Sequence, residues 1–238
     1  MKTGHSLMIA FLLIGLIGSG VSAQKTAKPW TEWSEAEARK LLDDSPWAKT
    51  QAKEDNLNRS LLPLTQTDIR NVDSLGLNAA LQSRLQVRFL SAQPIRQAFA
   101  RIVELKQKSP SADLRQQLQS FVDRKFDDWI VVAVDFDSTE TGNPNYLRQA
   151  LANATTNSLK HLTYLETKGG QRLMLQEYKP PINDGLGAKF IFPRLKNGAP
   201  FLAADSGEVR FYTELSTFIR VNVRFKVAEM IHNGALEY

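Results

Sequence analysis

Two carboxylates, Asp135 and Asp137, leave the end of an apolar run, Trp129 to Val134, that has the length of a strand. Further on, Arg210, Tyr212, Arg220, Arg224 and Lys226 set cations and an aromatic ring on alternating positions of strand-like sequence. The first constellation is of a kind that could catalyse, and the second of a kind that could bind an anion. Other catalytic sets are missing from the chain after residue 23. It has no G-x-S-x-G or S-x-x-K for serine chemistry, and no cysteine for thiol or Zn-thiolate chemistry. His161 and His232 stand far from any H-E-x-x-H, so a transition-metal site has little to build on. Gly185-Leu186-Gly187-Ala188-Lys189 fails the phosphate-loop spacing because Ile182 and Phe190 occupy the wrong places. The loop Pro180 to Gly187, stiff at one end and flexible at the other, is either a structural turn or a functional edge.

The string Val131 to Thr139, ending Asp135-Phe136-Asp137-Ser138-Thr139, resembles motif I of the haloacid dehalogenase-like phosphohydrolases, an apolar strand followed by D-x-D-x-T. The resemblance implies that Asp135 attacks phosphorus and that Asp137 serves as acid and base beside a magnesium ion. Lys160 or Lys168 would be the charge-neutralising lysine. No downstream G-D-x-x-x-D follows, and the chain beyond is arranged as hairpins rather than the alternating strands and helices of that fold.

These residues must be positioned by elements that are legible in outline. Ser34 with Glu37 forms a capping box for a short helix carrying Leu41 and Leu42, closed by Ser45-Pro46. Trp30, Trp33 and Trp47 are packing anchors that pin this N-terminal arm to a body, and Thr50 to Ala80 reads as a polar linker. Leu85, Val87 and Phe89 predict a half-buried strand. Ile95, Ala98, Phe99 and Ile102 predict a helix whose Arg96, Arg101 and Lys108 face mostly outward. Ser109-Pro110 opens another helix through Leu118 and Val122, and Asn143-Pro144 a third. Nine basic residues against three acidic ones from Arg84 to Lys125 suit a solvated helical surface or an anion-binding face.

Trp129 to Val134 predicts a central strand covered on both faces. Hairpin signals sit at Lys168 to Gln171, Asn197-Gly198, Asp205-Ser206-Gly207 and Asn233-Gly234. From Ile219 to Val227 apolar residues alternate with Arg220, Asn222, Arg224 and Lys226, so one face packs and the wet face is basic.

The 238-residue chain is 42% hydrophobic and 23% charged, ordinary globular usage, and long enough for a full core. Lys2, the 15-residue apolar run Leu7 to Val21 and Val21-Ser22-Ala23 read as an export signal, too short to span a bilayer. Cleavage near Ala23 leaves 238 − 23 = 215 residues with net charge +4 (29 Lys and Arg against 25 Asp and Glu). The lack of cysteine excludes a lipid-modified cysteine, and no further long apolar segment follows. The product should therefore be periplasmic or extracellular, without a transmembrane span. Export also argues against a nucleic-acid partner.

Trp30-Thr31-Glu32-Trp33, Ser45-Pro46-Trp47-Ala48, Val87 to Ala92 and Gly187 to Arg194 together resemble a group of exported bacterial proteins with no established activity. That resemblance implies no catalytic or binding residue. The expectation is an α+β protein: a signal peptide over 1–23, a Trp-anchored arm and polar linker over 24–80, and a domain over 81–238. In that domain a largely antiparallel sheet is backed by about three helices. The expected role is non-catalytic binding or scaffolding at the cell envelope, without a cofactor. Arg210, Tyr212, Arg220, Arg224 and Lys226 would engage an anionic envelope component or another envelope protein. A magnesium-dependent phosphohydrolase using Asp135 and Asp137 is the alternative.

Overall fold

The computed structural model describes residues 28–51, 84–136, 145–182, 184–216 and 219–238. The expected signal segment, nearly all of the polar linker and Asp137 lie outside the described residues.

The arm builds a 3-10 turn, Trp30–Glu32, and helix α1, Glu35–Asp43, whose capping box is complete: Ser34 Oγ accepts from Glu37 N and Glu37 returns a carboxylate oxygen to Ser34 N at 2.6 Å. These bonds to the ionised form hold the Glu37 carboxyl down at about 2. Strand β1, Ala48–Gln51, follows and pairs with β2, Leu85–Phe89. The arm thus contributes a strand as well as its anchors.

Helix α2, Gln93–Leu105, and helix α3, Ala112–Asp123, lead to β3, Trp129–Phe136. Helix α3 begins two residues later than Ser109-Pro110 predicts, because Ser111, not Ser109, accepts the capping bond, from Leu114 N at 3.1 Å. Helices α4, Asn145–Asn153, and α5, Thr156–Leu159, precede the hairpin of β4, Thr163–Thr167, with β5, Arg172–Met174. Then come β6, Glu177–Lys179, β7, Ala188–Pro193, and the two-residue strands β8, Leu195–Lys196, and β9, Ala199–Pro200. Long strands β10, Glu208–Glu214, and β11, Arg220–Lys226, precede a terminal hairpin of β12, Ile231–His232, with β13, Ala235–Leu236.

The class is α+β, and every strand pairing described is antiparallel. The strands divide between two main sheets, ordered β1-β2-β3-β7-β6 and β11-β10-β4-β5. β3 sits at the centre of the first, and Ile130 to Val134 are buried, as a continuous apolar run requires. The inner faces meet through edge-on aromatic pairs: Phe89 with Phe225 at 4.9 Å, and Phe211 with Phe190 at 5.2 Å and Phe192 at 6.3 Å. Splitting the strands lets each amphipathic strand bury one row without a helix over every face.

Helices α1 and α2 cover the other face of the first sheet. Arg88 projects there, donating to the Leu42 carbonyl at 2.7 Å and lying over the Phe99 ring. Arg96, expected outside, is 4% exposed and donates to the carbonyls of Leu90, Ser91, Val122 and Arg124. Arg101 turns inward too, donating to the Trp33 carbonyl at 2.6 Å and pairing with Glu104. Main-chain oxygens left at element ends supply what water would have supplied, so these cations leave the expected basic surface.

Candidate functional site

The side chains on the outer face of the second sheet are placed by period-two alternation. Along β10, Val209, Phe211 and Thr213 are buried and Glu208, Arg210, Tyr212 and Glu214 point outward. Along β11, Val221, Val223 and Phe225 are buried and Arg220, Asn222, Arg224 and Lys226 point outward. Register sets Arg210 beside Arg224 and Tyr212 beside Asn222. On the other flank of β10 it sets Arg210 beside Glu166 and Tyr212 beside Tyr164. All five residues expected to form the binding face therefore share one face.

Two like charges abreast, Arg210 and Arg224, cost stability unless neutralised. The neutralising groups come from residues that sequence reading did not single out. Glu166 accepts from Arg172 at 2.7 Å through one oxygen and from Arg210 at 3.3 Å through the other, which holds its carboxyl below the usual range. Glu208 reaches Arg224 at 3.8 Å, and Lys226 pairs with Glu229 at 3.1 Å. Tyr164 and Tyr212 stack at 5.1 Å, with Arg172 over the Tyr164 ring at 4.2 Å and Arg210 over the Tyr212 ring at 4.7 Å. Burial, and the hydrogen bond to Glu214 at 2.5 Å, push the Tyr212 phenol up to about 12. The core of this face is therefore an Arg-Tyr-Glu network satisfied from within.

A recess of about 290 Å³ opens beside it where the β4–β5 turn meets the start of β10. Its charged lining is Glu166, Lys168, Glu208, Arg210 and Arg224. The Lys168 main-chain N–H donates to the Glu208 carbonyl at 2.9 Å, and the Lys168 stem passes beside Gly207, whose φ of +72° favours glycine. The alternation of Tyr164 with Glu166 was the available signal for these residues, but which strand lies beside β10 was not legible.

Asp135 lies elsewhere, at the end of β3 in the first sheet. There it meets the loop that sequence reading marked as a possible edge. Gly187, at φ +76°, packs so closely that a Cβ would overlap the Val134 carbonyl and approach Asp135 Cβ to 2.9 Å. Asp184 laces the loop, accepting from Leu186 N at 2.9 Å and pairing with Lys189 at 2.6 Å. Asp135, Arg148 and Ile182 line a cleft of about 690 Å³ there. Both neighbours of β3 run antiparallel, unlike the alternating strand-helix layout that the D-x-D-x-T resemblance calls for. Among the described residues no three His, Cys, Asp or Glu side chains gather as metal ligands. No protein-family model matches the chain, nor does any curated protein or solved structure.

Proposed function

We propose that the protein is an exported, non-catalytic binding protein of the cell envelope that holds an anionic envelope component on the outer face of its second sheet. One observation carries the reading: Arg220, Arg224 and Lys226 project from that face along the edge strand β11. At a strand rise of about 3.4 Å per residue they stand about 14 Å and about 7 Å apart, a line of cations suited to an extended anionic chain. The Arg-Tyr-Glu network beside the row gives it a stiff backing. The apolar run Leu7 to Val21 with its small-residue end supports delivery to the envelope. Among the described residues no helix is long and apolar enough to cross a membrane.

The test reverses the row with Arg220→Glu, Arg224→Glu and Lys226→Glu together in the full chain. Retention on envelope fractions should fall at low salt while circular dichroism still reads a folded chain, with a lowered thermal midpoint because the reversal sets carboxylates opposite Glu214 and Glu208. Unchanged retention refutes the reading.

A further inference from the structure

The acids of this face bear on what kind of anionic chain it selects. The recess beside the β11 row holds two carboxylates among three cations, Glu166 and Glu208 with Lys168, Arg210 and Arg224. A site for a bare polyanion gains nothing from Glu208, which would repel every phosphate brought near it. The two carboxylates differ in what they have left to offer. Glu166 is committed through both oxygens to Arg172 and Arg210. Among the described residues Glu208 has only the long 3.8 Å approach to Arg224, and Lys168 has no ion pair.

The recess thus presents a strong acceptor beside two cations that can turn to a ligand. It suits a unit carrying one anionic group and, within a few ångströms of it, hydroxyl donors. Among the described residues no apolar side chain lines the recess, so it lacks the aliphatic or aromatic anchoring on which peptide interfaces concentrate their binding energy. Its volume of about 290 Å³ lies at the small end of ligand sites, the scale of a single sugar ring.

We propose that this recess is a subsite for a sugar acid, a hexose-sized ring with a carboxylate and free hydroxyls, presented as one unit of an acidic polysaccharide lying along β11. The proposal rests on the reading of the face as anion-binding and narrows it. The carboxylate of the sugar meets Lys168 and Arg224, ring hydroxyls donate to Glu208, and Arg210, fixed by Glu166 and Asn222, donates to a ring or hydroxyl oxygen.

Calorimetry on the full chain would compare a galacturonate oligomer, inorganic polyphosphate of matched charge and monomeric glucuronate, with Glu208→Gln and Arg224→Ala as variants. The galacturonate oligomer should bind at least tenfold tighter than polyphosphate, and excess glucuronate should compete with it. Glu208→Gln should weaken the oligomer by about tenfold, the scale of one charge-assisted hydrogen bond, and should tighten polyphosphate. Arg224→Ala should weaken both. Equal or tighter binding of polyphosphate, an effect of Glu208→Gln with the same sign on both polymers, or no competition by glucuronate overturns the subsite while leaving the anionic face standing. Failure of both polymers to bind, or binding of both unaltered by reversal of Arg220, Arg224 and Lys226, overturns the face and the subsite together.

Discussion

Gly187 and Gly198 share a positive φ, +76° and +81°, yet their surroundings separate them. A Cβ at Gly198 would meet nothing within 4 Å, whereas one at Gly187 would collide with the main chain of β3. Gly198→Ala should therefore cost about 1 kcal/mol, the left-handed penalty alone. Gly187→Ala should cost about 3 kcal/mol or more, because the loop must lift from Val134 and Asp135. Urea unfolding of the two variants checks the contrast, and equal losses would refute the close approach. Arg96 shows a residue whose place could not be read from the chain. Its position on α2 beside Ile95 says nothing of the four carbonyls that receive it, two at the exit of β2 and two around the end of α3. Burial lowers its guanidinium to about 10, still charged at neutral pH. Arg96→Met should lose about 3 kcal/mol by leaving those oxygens without their donor, measurable as a lower urea midpoint.

The terminal hairpin β12–β13 turns through Asn233 at φ 50° and Gly234 at φ 80°, the two-residue turn that Asn-Gly predicts. It seats His232 edge-on against Trp47, ring centroids 6.2 Å apart, while Trp47 Nε1 donates to the Glu237 carbonyl at 2.7 Å. Burial pulls the His232 imidazole below its ordinary value, against the opposing pull of the Glu237 carboxylate. With the folded value depressed, the unfolded chain binds the extra proton first. The contribution of neutral His232 is complete above the unfolded value of about 6.5 and is lost as pH falls from there through the folded value. The thermal midpoint should thus drop between pH 7.5 and 5.5, and His232→Phe should flatten that slope. An unchanged slope in the variant would assign the dependence to other groups. Such local elements were legible because turn chemistry and capping act within a few residues: the Ser34–Glu37 box, the Asn197-Gly198 and Asn233-Gly234 turns, and the alternation along β11. The flank of β10 was not, since Arg210 meets Glu166 across 44 positions and only the folded register brings them abreast. Ser109-Pro110 misled by two residues because Ser111 offered the same capping chemistry nearer the apolar stripe.

At the scale of the molecule, the two sheets share one core, interlocked by Phe211 of the second between Phe190 and Phe192 of the first. Phe211→Ala should cost about 3–5 kcal/mol, and the loss should appear as one shifted transition by both circular dichroism and tryptophan fluorescence. Two separated transitions would show the sheets unfolding independently. Gln51 ties the sheets on one side, its side-chain amide donating to the Arg220 carbonyl at 2.9 Å and accepting from Asn222 N at 2.5 Å. That short stitch occupies the start of the β11 edge, and beyond it the edge is guarded by Arg224 and Lys226. Charge on an edge strand keeps other chains from adding to the sheet. The row that would hold an anionic chain is therefore also the guard against self-association. Apolar replacements at Arg224 and Lys226 should show first as time-dependent turbidity, and a ligand that neutralises the row would bring copies of the protein closer to zipping edge to edge.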